Sequence, residues 1–224
     1  LVGLLDLSRA TGQPIDVDTV ETIMLPDAQR LGRLVEDMLT LARADEHGMR
    51  ARTQPVDLDD LVRAEVARMR ALSPAAVSSA IVAARVDGDP GTLTRAIRNI
   101  ADNAARHTRN QLSFSMSRDE HRHRVTVTVA DDGPGIADAD KARVFDRFVR
   151  LDDSRDRGQG GSGLGLAIVT EIVRAHGGTV SVADNPGDGA AFTITLPLAP
   201  QTPDDDGRAE PESPEPEFPA PKFP

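Results

Sequence analysis

Two glycine clusters, separated by a short linker, constrain the fold of this chain more than any other feature. The first lies in Asp-Asp-Gly-Pro-Gly-Ile at 131–136, and the second in Gly-Gly-Ser-Gly-Leu-Gly-Leu at 160–166. An alternating apolar run before the first cluster predicts a strand, and a helical pattern over 164–176 follows the second. A glycine turn that opens a helix leaves free N–H groups that attract an anion. The stretch therefore predicts a phosphate-binding site, with the charged segment 151–159 as a mobile lid.

The spacing of these glycines differs from two common phosphate-binding motifs. Gly161, Gly163 and Gly165 do not form the dinucleotide fingerprint, and the P-loop pattern Gly-x-x-x-x-Gly-Lys-Ser/Thr does not occur. For either cluster alone, an ordinary glycine-rich turn in an α/β domain is an alternative. The order of the motifs along the chain favours the ligand site.

Composition bounds the classes of protein to which the chain can belong. The 224 residues allow one ordinary domain with flanking elements, and the absence of Cys excludes disulfides and thiolate metal sites. A formal charge of -10, with six Phe and no Tyr or Trp, argues against a nucleic-acid partner. No apolar run reaches the length of a membrane span, and no signal peptide is visible. Because the chain opens at Leu1 inside an apolar pattern, we expect a piece of a longer protein.

The N-terminal part, 1–45, predicts two helices that are separated at Gly12-Gln13-Pro14. Apolar residues in the second helix alternate steps of four and three, which is the spacing of a heptad seam. One interpretation is a helix that packs on its own domain, and the other is a helical hairpin that pairs with a second copy. The uninterrupted seam favours the bundle, while Pro26 should kink the helix or delay its start. The seam comprises Met24, Ala28, Leu31, Val35, Met38 and Ala42.

Several elements are predicted between the hairpin and the C-terminus. A brief strand at 55–58 precedes a helix at 58–72, and 79–86 is apolar enough for one or two strands. Asp89-Pro90 predicts a helix start, since Asp is a good N-cap and Pro suits the first turn. Two further hairpins are predicted, one from 111–117 and 124–130, and one from 179–183 and 190–198. The tail 199–224 has seven acidic and eight Pro residues and predicts disorder.

The helix after Asp89 carries a row of polar side chains. Asn99, Asn103 and His107 recur every four residues and therefore share one face. Asn is unfavourable inside helices, so two Asn one turn apart need an explanation. A solvated stripe is one explanation. The other is a set of oxygen ligands for a hard cation, with hydrogen bonds to a polar ligand.

The motifs together resemble those of sensor histidine kinases, whose ATP-binding domain is shared with gyrase, heat-shock chaperone and mismatch-repair ATPases. The resemblance covers 55–198 and implies an α/β two-layer sandwich, a mixed sheet with helices on one face, preceded by a helical hairpin. It divides the chain into a partial dimerisation and phosphotransfer hairpin (1–46), a hinge (47–54), the catalytic domain (55–198) and the tail (199–224). The matching boxes are Asn99-x-x-x-Asn103-Ala-x-x-His107, Asp131-x-Gly133-x-Gly135, Phe145-x-x-Phe148 and Gly161-x-Gly163-x-Gly165-Leu166.

The resemblance implies a role for each matching residue. Asp131 would accept a hydrogen bond from the adenine amino group, and Asn103 would hold Mg²⁺ with phosphate oxygens and water. The second glycine cluster would present N–H groups to the phosphates, while Arg147 and Arg150 would steady the γ-phosphoryl group. The nucleotide-binding set is Asn99, Asn103, Arg106, His107, Asp131, Gly133, Gly135, Ile136, Gly161, Ser162, Gly163, Leu164, Gly165 and Leu166.

The acceptor histidine of this family is expected just upstream of Leu1. None of the five His residues lies in the acceptor motif, so we expect the chain to bind ATP-Mg²⁺ without phosphorylating itself. The expected partners are a response-regulator receiver domain and a second subunit of the full-length protein. This part is expected in the cytoplasm and the parent protein in the inner or plasma membrane. The five are His47, His107, His121, His123 and His176.

Two other functions compete with this one. A related ATPase or serine kinase would usually carry Glu four residues before the metal-binding Asn, where this chain has Asn99. Asn cannot take a proton from a hydroxyl group or water, which weighs against that function. A non-catalytic module, which binds a receiver domain through the hairpin helices, is the third interpretation.

Overall fold

A computed structural model of the chain describes residues 2–12, 14–47, 49, 53–151 and 162–200. Helix α1 (Val2–Thr11) is followed by α2 (Val17–Thr19), a π-helical turn (Val20–Met24) and α3 (Leu25–His47). The last three follow one another without a break, so the two predicted helices are confirmed. Residues 152–159 of the predicted lid lie outside the described residues, as do Gly160, Gly161 and 201–224 of the tail.

Pro26 lies in the first turn of α3, where the missing N–H of proline is tolerated. Just before it, the N–H of Leu25 donates to the carbonyl of Val20, five residues back. This π-type hydrogen bond accommodates the proline without ending the helix. The uninterrupted α-helical part therefore starts at Leu25, after the short α-helical and π-helical turns that begin at Val17.

A five-stranded mixed sheet forms the centre of the molecule. Its order is β2-β4-β5-β7-β6, with β2 and β4 parallel and the other pairs antiparallel, while β1 and β3 form a small antiparallel sheet. The predicted two-layer sandwich is confirmed, because three helices cover one face of the large sheet. The strands are β1 Gln54–Asp57, β2 Ala76–Ala80, β3 Arg85–Gly88, β4 Gln111–Asp119, β5 Arg124–Asp131, β6 Thr179–Asp184 and β7 Ala190–Pro197; the helices are α4 Leu58–Leu72, α5 Pro90–His107, α6 Asp138–Lys141 and α7 Gly165–Ala175.

Alternation along the central strands separates a buried face from a polar one. Phe114, Val127 and Phe192 are buried under the helices. The residues that alternate with these along each strand are mostly small and polar. The hydroxyl oxygens of Thr128 and Thr193, for example, lie 3.1 Å apart on adjacent strands. This two-residue period assigns one face of each strand to the core.

Helix α5 is held at its N-terminus by its own cap and by α7. The carboxylate of Asp89 accepts the N–H of Thr92 at 2.8 Å, and the N–H of Asp89 donates to Nε2 of His176 at 3.1 Å. Nδ1 of the same imidazole lies 2.7 Å from the carbonyl of Ile172, to which it donates. These contacts join the start of α5 to the end of α7, which fixes where the Asn99–His107 row lies.

Helix α3 packs on the sandwich through one face and exposes another. Leu41 and Ala44 are buried, and Arg95 of α5 pairs with Asp37 at 2.5 Å. Leu31 and Val35, which belong to the predicted seam, are each 56% exposed. One face of the helix therefore contacts its own domain, while pairing of the exposed seam with a second copy stays a prediction.

Within the described residues, no helix is both long enough and apolar enough to cross a bilayer. Near the last described residue, 200, the N–H of Ala199 donates to the carbonyl of Arg85 at 2.9 Å.

Candidate functional site

The polar row on α5 runs between the two glycine clusters. At one end, Nδ2 of Asn99 donates to the carbonyl of Gly165 at 3.1 Å. At the other end, the carbonyl of His107 lies against Gly133, where an added Cβ would overlap it. Asn103 lies midway, one turn from each, along about 12 Å of helix. The structure therefore places the amide row along one line between the two motifs.

The Asp131 end of this line consists of Asp131, Gly133, Asn185 and Gly189. Asp131 is only 2% exposed, and its Oδ1 accepts the N–H of Gly133 at 2.9 Å and that of Ala190 at 3.3 Å. Oδ2 accepts no hydrogen bond from the described residues. A carboxylate with one oxygen held by backbone and the other unused is well suited to accept a ligand's amino group.

Two glycines near Asp131 are required by the protein itself. A Cβ on Gly133 would overlap the carbonyl of His107, and a Cβ on Gly189 would overlap the carbonyl of Asp131. Gly135 has φ +76 and lies beside Gly189, and Ile136 packs on the core. Gly133 and Gly135 of the first cluster are thus needed for close packing within the protein, whether or not a ligand is bound.

Asp132 is an important residue that sequence reasoning missed. Its carboxylate accepts the N–H of Asn110 at 3.0 Å, the hydroxyl of Thr108 at 2.7 Å and the N–H of Arg109 at 2.7 Å. The N–H of Asn110 contributes most to holding the pKa of Asp132 well below its usual range. The charged side chain thereby joins the end of α5 to the end of β5. The pair Asp131-Asp132 was the signal in the sequence from which a role for the second Asp could have been predicted.

The Gly163 end of the line consists of Phe148, Ser162, Gly163, Leu164 and Gly165. The N–H of Phe148 donates to the carbonyl of Gly163 at 2.9 Å, and both residues have positive φ, +64 and +70. A Cβ on Gly163 would lie 2.9 Å from the Cα of Phe148, so a side chain does not fit there. The two motifs that border the undescribed residues 152–161 are thus joined through their backbones.

Helix α7 begins at Gly165, and its N-cap residue Leu164 makes no side-chain capping hydrogen bond. The hydroxyl of Ser162 accepts the N–H of Leu164 at 3.2 Å, just before the helix. Leu164 is buried and Leu166 packs against the core, so both anchor this turn. The first N–H groups of α7 lie beside Asn99 and suit an anionic ligand.

Three arginines are predicted for the site, and they differ in what they contact. Arg147 makes two hydrogen bonds of 2.6 Å with Asp45 of α3. These hydrogen bonds hold the pKa of Asp45 below its usual value. Arg150, after the second phenylalanine, and Arg106, beside the amide row, are exposed. The structure therefore links Arg147 to the hairpin helix, and its role in transfer stays a prediction.

The comparison with protein families decides to which family the chain belongs. The family described as "Histidine kinase-, DNA gyrase B-, and HSP90-like ATPase" matches residues 88–200, half of the chain. The chain belongs to this family. The match contains α5, both glycine clusters and the β6–β7 hairpin, which are the elements that form the site.

Named relatives narrow the family to sensor histidine kinases. The sensor-like histidine kinase SenX3 of Mycolicibacterium smegmatis is 34% identical over 192 residues, which are 83% of this chain and 50% of SenX3. The sensor histidine kinase CpxA of Escherichia coli is 31% identical over 205 residues, which are 86% of this chain and 42% of CpxA. The chain thus spans half or less of the length of these relatives.

Solved structures give the same assignment. The mycobacterial sensor histidine kinase MprB is 31% identical with a TM-score of 0.58, covering 66% of this chain and 99% of the MprB chain. Full-length ShkA, solved in complex with AMPPNP, is 29% identical with a TM-score of 0.70, covering 84% of this chain and 40% of ShkA. Fold and sequence therefore agree on an ATP-binding kinase domain.

The serine kinase or ATPase alternative is not favoured in this kinase domain. Its Glu position is Asn99, whose amide already donates to the carbonyl of Gly165. Within the described residues, no group of three or more His, Asp and Glu side chains converges as a metal site. The amide oxygen of Asn103 is a hard ligand of the kind that Mg²⁺ accepts.

Proposed function

We propose that this kinase domain binds ATP with Mg²⁺ and transfers the γ-phosphoryl group to a histidine of the full-length protein. The observation that carries the proposal is the polar row on α5, which joins Gly165 at one end to Gly133 and Asp131 at the other. Adenine and triphosphate of one ligand can contact both ends, with Asn103 between them. Phosphoryl transfer depends mainly on such alignment and on neutralised charge.

Each end has its own task in the proposal. Oδ2 of Asp131 accepts the adenine amino group, while the first N–H groups of α7 bind phosphate oxygens. His107 flanks the nucleotide, and Arg106 approaches the phosphates from the same helix. Asn103 holds Mg²⁺, which neutralises phosphate charge when bound. Arg147 and Arg150 are proposed to steady the transferred group, and Arg147 must leave Asp45 to do so.

The phosphoryl group is then proposed to pass to the receiver domain of a response regulator. The exposed seam of α3, including Leu31, Val35 and Met38, supports pairing with a second copy in the full-length protein. The acceptor histidine and any membrane segments are proposed to lie in parts of the protein outside this chain.

Thermal unfolding with ATP tests the proposal, because a ligand that binds only the folded state stabilises it by about 2.7 kcal/mol at one hundred times its Kd. We expect ATP with Mg²⁺ to raise the Tm, and Asn103→Ala to abolish most of the Mg²⁺-dependent part of the increase. Asp87→Asn, on an exposed site of β3, is the matched control. No increase at saturating ATP would favour the non-catalytic module.

Labelled ATP tests the second half of the proposal. We expect no acid-labile phosphate on this chain alone. Label should appear on a longer protein that includes the upstream helix. An acid-labile signal on this chain itself would place the acceptor among its own histidines and contradict the proposal.

A further inference from the structure

The β6–β7 turn, Asp184–Gly189, lies directly against Asp131. Nδ2 of Asn185 donates to the carbonyl of Asp131 at 2.9 Å. Gly189 is packed so closely on the same carbonyl that a Cβ would overlap it, and the next N–H, of Ala190, donates to Oδ1. Two residues of the turn, Asn185 and Gly189, and the first residue of β7, Ala190, therefore contact one residue of the site.

Asp131 needs this support because of its place in the sheet. Pairing between β5 and β7 ends at Ala130 and Ala191, so Asp131 lies one residue beyond the last pair. Asp131 is nevertheless buried, and buried backbone oxygens need a hydrogen-bond donor. On the β7 side, the side chain of Asn185 supplies the donor that the strand no longer provides.

The turn is itself held on both sides. Lys141 of α6 lies 2.7 Å from Asp184 and is only 19% exposed. Asp188 forms an ion pair with Arg109 at 3.9 Å, in the loop whose N–H groups hold Asp132. The N–H of Asn185 donates to the carbonyl of Gly189, which closes the turn. These contacts therefore fix the position from which the side chain of Asn185 reaches the carbonyl of Asp131.

We infer that Asn185 is a positioning residue for base recognition, acting through Asp131. The inference rests on the proposed function, in which Oδ2 of Asp131 accepts the adenine amino group. Oδ1 is already bound by two backbone N–H groups, so the direction of Oδ2 follows the backbone of Asp131. Asn185 holds that backbone by its carbonyl. Its loss should weaken contact with the base and leave contact with the phosphates intact, because those bind at the Gly163 end.

Isothermal titration with two ligands separates the two ends: ATP, and tripolyphosphate, which has no base, each with Mg²⁺. Asn185→Ala should weaken ATP binding about tenfold, the factor that one hydrogen bond of ordinary strength supplies. Tripolyphosphate binding should stay within about twofold of the wild type. Asn110→Ala is the matched control, since the side chain of Asn110 is exposed and makes no hydrogen bond within the described residues.

A second variant covers the case in which Asn185→Ala does not fold. Asn185→Asp keeps the volume but places an oxygen against the carbonyl of Asp131, so its loss of ATP affinity should be at least as large. Unchanged ATP binding in the folded variants overturns the inference alone, and equal losses for both ligands overturn it by showing a general structural role. A wild-type protein that binds no ATP overturns the proposed function as well.

Discussion

The two ends of the candidate site are built in different ways. At the Asp131 end, the polar groups are bound within the sandwich, by the β6–β7 turn and by the loop after α5. At the Gly163 end, the contacts are between backbones of neighbouring loops, and the nearby Arg147 is bound to α3. The difference teaches that, in the proposed function, base recognition depends on the packed core, whereas the end proposed for phosphoryl transfer shares residues with the hairpin.

The largest expected effect tests how tightly the Asp131 end is packed. Gly187 and Gly189 have nearly equal φ, +99 and +101, but a Cβ on Gly187 meets open space and one on Gly189 overlaps Asp131. Gly187→Ala should cost about 1–2 kcal/mol of backbone strain. Gly189→Ala should cost about 2 kcal/mol more, because the sheet edge must move. Urea unfolding measures the loss in free energy of unfolding for both variants. Equal losses would show that the Asp131 end is loosely packed.

The next effect concerns ligand binding at the same end. Asp131→Asn keeps an oxygen for the N–H of Gly133 but removes the negative charge. ATP binding should weaken by about tenfold to a hundredfold, as expected for a hydrogen bond to a charged group. Tripolyphosphate binding should not change, since it lacks the base. Titration calorimetry gives both constants, and equal weakening of the two would contradict the division between the ends.

A smaller effect depends on pH and comes from Asp132. Its pKa is depressed in the folded protein, so its stabilising contribution is complete above the unfolded pKa of about 4. The contribution is lost as pH falls through the folded pKa. Asp132→Asn should therefore lower the Tm at pH 7, and the gap to the wild type should close in acid below about pH 4. A gap that is constant between pH 7 and pH 3 would disprove this role.

The smallest effect should come from the link between the Gly163 end and the hairpin. Asp45→Asn weakens an exposed ion pair with Arg147, and such pairs contribute little in water. The Tm should change by no more than about 2 °C. Leu41→Ala, on the same helix but buried, should cost about 2–4 kcal/mol and provides the contrast. Equal losses would mean that the ion pair, and not the apolar face, holds α3.

The elements of this fold were largely predictable from local pattern. Asp89-Pro90 predicts the start of α5, and the structure confirms both the cap and the helix. The helix predicted from Leu58 starts at that residue, and the strand predicted from Pro55 starts one residue earlier, at Gln54. Such features depend on neighbours within a few residues, whose spacing is written directly in the sequence.

The contacts that position the site were less predictable. Asn185 contacts Asp131 across 54 residues of sequence, and Arg147 contacts Asp45 across 102. Each is an ordinary polar residue in its own segment. Nothing in its local pattern identifies a partner, since the partner is defined only when the strands and helices have packed.

The sequence by itself determined the helices, the strands, the glycine clusters and the family, because these depend on residue type and short spacing. Tertiary structure alone decided which face of α3 is buried, which carbonyl Asn185 satisfies, and that Asp132 closes the loop after α5. The physical reason is that a buried polar group is stable only with a partner, and packing chooses that partner from distant parts of the chain.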